Sequence, residues 1–81
     1  MSNRSKLKSL IMDTFLLDES EFRFDLSRSE VGSWDSLGVV TIAIGVEEVF
    51  GYHFTPDEAS RLRGVADIIA VLTEKGISFD E

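Results

Sequence analysis

The residue of this chain best placed for chemistry is Ser36, which stands in the string Trp34-Asp35-Ser36-Leu37 where a helical apolar pattern begins. A helix start carries unpaired backbone N–H groups and the positive end of the helix dipole. Both favour an anionic group, such as a phosphate ester attached to the serine. Serine and aspartate are also common N-cap residues, so a purely structural cap is the alternative explanation.

Catalysis by side chains is not expected. The chain contains one histidine, His53, and no cysteine, so no Ser–His or Cys–His pair can be assembled. We interpret His53 as a partly packed residue of the turn after the second helix. The carboxylate pairs Glu47-Glu48 and Asp57-Glu58 point to different sides of their helices, which suits solvation better than acid–base chemistry. No metal-binding or nucleotide-binding motif occurs, and we expect neither catalytic residues nor a metal site.

The size and charge of the chain restrict its class and its partners. Its 81 residues, 43% of them hydrophobic, predict a single domain over residues 1–81 with one core. A net charge of −7 argues against nucleic acid or an anionic membrane as partner and favours basic protein surfaces, although solubility alone would also explain it. The longest uncharged stretch, residues 36–46, is too short to span a bilayer, and the N-terminus lacks the pattern of a signal peptide. We therefore expect a cytoplasmic monomer without stable membrane insertion.

The apolar spacing predicts an all-α fold with three longer helices and a short third one, over residues 3–16, 36–50, 56–62 and 65–75. Ser2 or Asn3 can cap the first helix, and Gly51 ends the second. Thr55 and Glu58 form a capping-box pattern at the start of the third.

The long connection over residues 17–33 shows no helical period, and its apolar residues must anchor it to the core. We read it as a loop with at most a helical turn, anchored by Phe22, Phe24, Leu26 and Val31.

The second helix has two apolar stripes. One has the spacing of a core-facing helix and consists of Val39, Ile42, Ala43, Val46 and Phe50. The other consists of Leu37, Val40 and Ile44, and it lies on the side of the helix that contains Ser36. Such a strip favours a docking surface beside the serine, while a helix buried on most of its circumference is the alternative.

Three groups of residues form one pattern that covers nearly the whole chain: Asp35-Ser36-Leu37, then Glu47-Glu48 followed by Phe50-Gly51, and finally Arg63, Val65, Asp67 and Ile68. This pattern resembles the acyl carrier protein family, including the peptidyl and aminoacyl carrier proteins of the same four-helix fold.

The resemblance implies a function for Ser36 and a surface for partners. Ser36 would accept a 4′-phosphopantetheine arm from coenzyme A through a phosphopantetheinyl transferase, with Asp35 as part of the attachment motif. The thiol of the arm would hold an acyl or aminoacyl group as a thioester. The enzymes that load and transfer this group would dock on a surface formed by Leu37, Val40, Thr41, Ile44, Glu47 and Glu48. The protein itself would not be an enzyme.

Two glycines and a threonine bear on the pathway and on packing. Family members of the fatty-acid type usually carry acidic residues where this chain has Gly38 and Thr41. Fatty-acid-like biosynthesis thus becomes slightly less favoured than a specialised pathway, such as polyketide, aminoacyl or polysaccharide-tailoring biosynthesis. Because glycine costs a helix interior about 0.5–1 kcal/mol relative to alanine, we expect Gly45 to leave room for a close neighbour under the second helix.

An unmodified acidic interaction module, in which Ser36 is only a cap, is the alternative function.

Overall fold

The computed structural model describes residues 2–32 and 34–79, and Met1, Ser33, Asp80 and Glu81 lie outside the described residues. The described part of the chain is all-helical, which confirms the predicted fold class. Its helices are α1 (Asn3–Phe15), α2 (Ser36–Phe50), α3 (Pro56–Ser60) and α4 (Val65–Glu74), with a short 3₁₀ helix at Arg28–Glu30 in the long loop. The third helix is two residues shorter than the sequence pattern predicts, because the N–H groups of Arg61 and Leu62 donate to carbonyls three residues back instead of four. The first and fourth helices each end one residue earlier than predicted.

Local hydrogen bonds define most helix ends. The Ser2 Oγ accepts from the Ser5 backbone N–H at 3.1 Å, so Ser2 is the cap of α1. Helix α2 ends at Gly51, whose φ of 74° lies in the left-handed region that glycine adopts without strain. Gly76, with a φ of 89°, follows α4 in the same way.

The start of α3 is a closed network of hydrogen bonds. The Thr55 Oγ1 accepts from the Glu58 N–H at 3.1 Å, and the Glu58 Oε1 accepts from the Thr55 N–H at 3.0 Å. The same carboxylate accepts from the Tyr52 hydroxyl, and the Lys75 Nζ lies 3.5 Å from its second oxygen. The hydrogen bond from Tyr52 is the main reason why the pKa of Glu58 falls to about 2, and the same bond raises the pKa of Tyr52 to about 12.

The long loop is anchored by its apolar side chains. Phe22, Leu26 and Val31 are buried, and Phe24 packs edge to face on Phe22 with the ring centroids 4.9 Å apart. Backbone hydrogen bonds join the loop to the entry of α4, from Arg28 N–H to Arg63 O at 2.6 Å and from Val65 N–H to Leu26 O at 3.0 Å.

A single core of buried side chains connects the four helices and the loop. Its fully buried members are Leu7, Ile11, Ile42, Val46, Leu62, Val65, Ile68 and Leu72. Helices α1 and α2 approach closely at Gly45, where a Cβ atom would lie 2.3 Å from the Leu10 Cδ1. The close neighbour of Gly45 is therefore another helix of this chain. Within residues 2–32 and 34–79, no helix combines the length and the apolar character that a membrane span would need.

Candidate attachment site at the start of helix α2

Asp35, and not Ser36, caps helix α2. The Asp35 Oδ1 accepts from the backbone N–H groups of Leu37 at 3.1 Å and Gly38 at 3.0 Å. Asp35 has extended backbone angles, so Ser36 is the first residue of the helix. The explanation of Ser36 as a cap is therefore wrong, because the preceding aspartate already accepts from the N–H groups that a cap would satisfy.

Ser36 is exposed in the first turn of α2. Across residues 2–32 and 34–79, no hydrogen-bond partner of the Ser36 Oγ is found. The hydroxyl lies in the first turn of a 15-residue helix, where the helix dipole favours negative charge. An exposed hydroxyl in this position can accept an anionic substituent without breaking a hydrogen bond within the described part of the chain.

Trp34, two residues before Ser36, is held by contacts with helix α1 and with the long loop. Trp34 is only 2% exposed, and its indole stacks on the Phe15 ring of α1 with the centroids 5.1 Å apart. The Trp34 carbonyl oxygen accepts from the Arg28 Nε at 2.7 Å. These contacts fix the backbone two residues before Ser36.

A cleft opens beside Ser36, between the start of α2 and helix α3. Its volume is about 340 Å³, and it is lined by Arg28, Ser36, Val39, Pro56, Ala59 and Ser60. The polar groups of the lining are the guanidinium of Arg28 and the hydroxyls of Ser36 and Ser60, and the other three residues are apolar. A group attached to Ser36 thus has both polar and apolar neighbours within the fold.

The second apolar stripe of α2 faces solvent. Leu37 is 75% exposed, Val40 52% and Ile44 55%. The alternative in which α2 is buried on most of its circumference is therefore wrong. We call these three residues the apolar strip; the exposed residues Thr41, Glu47 and Glu48 lie on the same helix.

The chain is similar to several curated proteins. It is 31% identical over 70 residues to an acyl carrier protein of Petrotoga mobilis, covering 86% of this chain and 82% of that protein. It is also 31% identical over 75 residues to an acyl carrier protein of Nitratidesulfovibrio vulgaris, covering 93% and 99% of the two chains. The chain belongs to the acyl carrier protein family. An acyl carrier protein of Coprothermobacter proteolyticus is 28% identical over 67 residues, covering 83% and 82%.

Membership of the acyl carrier protein family confirms the resemblance inferred from the sequence, and it assigns the chain a carrier role rather than an enzymatic one. A comparison with family models gives no match, and none of the solved structures matches either. Among the described residues of this family member, no group of three or more histidine, aspartate or glutamate side chains is placed to hold a metal ion.

In this acyl carrier protein family member, the predicted environment of His53 is wrong. His53 was expected to be partly packed, but its side chain is 76% exposed, and its Nδ1 lies 2.7 Å from the Glu47 Oε2. The neighbours Tyr52 and Phe54 pack edge to face, with Phe54 buried, and His53 between them is left facing solvent. The histidine thus pairs with the acidic end of α2.

Sequence reasoning missed two residues near the surface of α2. Val49 is 42% exposed, although it fits neither apolar stripe. Arg28 lines the cleft with Ser36 although it comes from the long loop, where no local pattern marks it. Only the packing of the loop against the start of α2 brings Arg28 there.

Proposed function

We propose that Ser36 carries a 4′-phosphopantetheine arm. The observation that supports this most strongly is the exposed Ser36 hydroxyl, which has no hydrogen-bond partner among the described residues and lies at the start of a helix already capped by Asp35. Membership of the acyl carrier protein family supports it independently. The open cleft beside Ser36 leaves space for a substituent, so the residues present fit the arm.

In the attachment reaction, the Ser36 Oγ forms a new bond to the phosphorus of coenzyme A that bears the pantetheine. The bond between that phosphorus and the bridging oxygen breaks, and adenosine 3′,5′-bisphosphate leaves with the bonding electrons. A phosphopantetheinyl transferase supplies the Mg²⁺ ion and takes the hydroxyl proton, since no base lies in hydrogen-bond contact with Ser36 among the described residues. When bound, the arm supplies a thiol that holds an acyl or aminoacyl group as a thioester.

The partner enzymes dock on the exposed side of α2. The apolar strip begins next to Ser36, and the carboxylates of Glu47 and Glu48 follow toward the end of the helix. A partner that presents an apolar contact near its active-site entrance and basic groups farther away matches this order. Enzymes that load or transfer acyl or aminoacyl groups are the proposed partners.

Specialised biosynthesis is proposed ahead of fatty-acid-like biosynthesis. Gly38 is buried, and Thr41 is exposed but donates its hydroxyl to the Leu37 carbonyl at 3.0 Å. The part of α2 next to Ser36 therefore presents no carboxylate beyond the Asp35 cap. A partner that recognises several acidic residues beside the serine would find few of them here.

Mass measurement after enzymatic loading tests the attachment site. The purified chain is incubated with coenzyme A, Mg²⁺ and a broad-specificity phosphopantetheinyl transferase. We expect the wild type to gain the mass of one arm and Ser36→Ala to gain none. Ser60→Ala is the matched control, because Ser60 lines the same cleft and donates its hydroxyl to the Asp57 carbonyl at 2.7 Å.

Two other results of the loading experiment would contradict the proposed attachment to Ser36. Equal loading of Ser36→Ala would move the attachment to another residue. A wild type that is folded by circular dichroism but gains no mass would favour the alternative, an unmodified interaction module that uses the apolar strip alone.

A further inference from the structure

Arg28 lines the same cleft as Ser36, which its place in the sequence does not suggest. The two residues are eight positions apart, yet both line the cleft between α2 and α3. The Arg28 backbone is held by the hydrogen bond from its N–H to the Arg63 carbonyl at 2.6 Å. The backbone that carries this cationic side chain is thus anchored beside the cleft.

The guanidinium of Arg28 is only partly used by the fold. Its Nε donates to the Trp34 carbonyl at 2.7 Å, which ties the group to the backbone two residues before Ser36. Within the described ranges, its two Nη groups donate no hydrogen bond, and Arg28 forms no ion pair. Arg23 and Arg61, by contrast, are paired with carboxylates. Arg28 therefore has donors available for an anion.

The electrostatics at Ser36 call for such a cation. The Asp35 carboxylate is adjacent and already occupies the N–H groups of Leu37 and Gly38. A phosphate on Ser36 finds these two donors taken and a like charge nearby, in a chain of net charge −7. A nearby guanidinium offsets this repulsion and can donate two parallel hydrogen bonds to phosphate oxygens.

We propose that Arg28 is a positioning residue that binds the phosphodiester of the arm through its Nη groups. The inference rests on the proposed attachment of 4′-phosphopantetheine to Ser36, because that bond places the phosphate beside a cleft that Arg28 also lines. By holding the phosphate, Arg28 restricts the directions in which the arm can leave Ser36. The contact is exposed, so it weakens at high salt.

Nuclear magnetic resonance of the apo and loaded chain tests the contact. In wild-type protein labelled with ¹⁵N, we expect the Nε–Hε resonance of Arg28 to shift when the arm is attached and that of Arg63 to stay. We expect the ³¹P resonance of the loaded protein to shift in Arg28→Gln and to remain in place in Arg63→Gln. Arg63 is the matched control, since it lines a neighbouring cavity with Arg28 but not the cleft of Ser36.

The outcomes separate this inference from the proposed function. A chain without the added mass overturns both. A loaded chain in which the Arg28 resonance stays in place, or in which both variants shift the ³¹P resonance equally, overturns only the role of Arg28. The Arg28→Gln variant also removes the hydrogen bond to the Trp34 carbonyl, which helps to hold the loop. If this variant is unfolded, the shift of the Arg28 resonance between apo and loaded wild-type protein decides, because that measurement needs no variant.

Discussion

The starts of helices α2 and α3 each carry a hydroxyl, but only the one at α3 takes part in a hydrogen bond within the described residues. At α3, the Thr55 hydroxyl accepts from the Glu58 N–H, and Glu58 in turn binds Thr55 and Tyr52. At α2, Asp35 provides the cap alone, and the hydroxyl of the next residue makes no hydrogen bond with the described part of the chain. The Thr55 hydroxyl is therefore used to cap its helix, whereas Ser36 follows a residue that already provides the cap.

The starts of α2 and α3 also differ in how far their side chains are used in contacts with the rest of the fold. The start of α3 is tied to α4 through the Glu58–Lys75 ion pair. The start of α2 is held from behind by Trp34 and Arg28, and it presents Leu37 to solvent at 75% exposure. We infer that the contacts at the start of α3 stabilise the fold, whereas the start of α2 is accessible to other proteins.

The largest expected effect is on docking at the start of α2. Replacing Leu37 or Val40 by Asp is expected to lower kcat/KM for arm transfer by about tenfold or more, because a central apolar contact of an interface contributes about 1–2 kcal/mol. Stability should change by less than about 0.5 kcal/mol, since both side chains are exposed. Val49→Asp, on the same helix but away from Ser36, is the control, and an equal loss there would show an effect of charge alone.

Removal of the α2 cap should lower stability directly. Asp35→Ala is expected to cost about 1–2 kcal/mol of unfolding free energy, because two backbone N–H groups lose their acceptor. Asp35→Asn should cost little, since asparagine caps almost equally well. Urea unfolding followed by the fluorescence of Trp34 measures both variants, and an Ala variant as stable as the wild type would contradict the role of Asp35.

Removal of the α3 cap should affect stability alone. Thr55→Ala is expected to cost about 1 kcal/mol, while arm transfer to Ser36 continues at the wild-type rate. Thr55→Ser keeps the hydroxyl and should restore most of the lost stability. If Thr55→Ala slowed arm transfer as strongly as the Leu37 variant, the functional difference between the two helix starts would disappear.

The smallest effect is the pH dependence that the α3 network contributes. The folded pKa of Glu58, about 2, lies below its ordinary 4.5, so its contribution is present above pH 4.5 and is lost as the pH falls toward 2. The pKa of Tyr52 is raised from 10.0 to about 12, so its contribution is present below pH 10 and is lost as the pH rises through 12. Between pH 4.5 and pH 2, the urea midpoint of the Glu58→Gln variant should fall less steeply with decreasing pH than the midpoint of the wild type. If both midpoints fall equally steeply, Glu58 does not stabilise the start of α3 through its charge.

Much of the fold was predictable because its signals are local. The apolar periods and the Thr55-Pro56 start indicated the four helices, since the capping hydrogen bonds join residues at most a few positions apart. The anchors Phe22, Leu26 and Val31 were predictable from hydrophobicity alone. The end of α3 was not, because Leu62 is apolar enough to continue a helix and is instead drawn into the core.

The candidate site was only partly predictable. Ser36 and the apolar strip follow from the spacing along one helix, which is a property of the chain within a few turns. The choice between Asp35 and Ser36 as cap depends on backbone angles that either residue type could adopt. His53 was misjudged because its aromatic neighbours suggested burial, yet they pack with each other and leave it in solvent.

The sequence by itself determined the helices, the serine at the start of α2 and the resemblance to acyl carrier proteins, because these depend on residues close together along the chain. Only the tertiary structure decided that the apolar strip is exposed, that Leu10 fills the space at Gly45 and that Arg28 reaches the cleft of Ser36. Each of these depends on how distant segments pack around one core. Such long-range contacts leave no periodic pattern in the sequence, so folding alone brings the residues together.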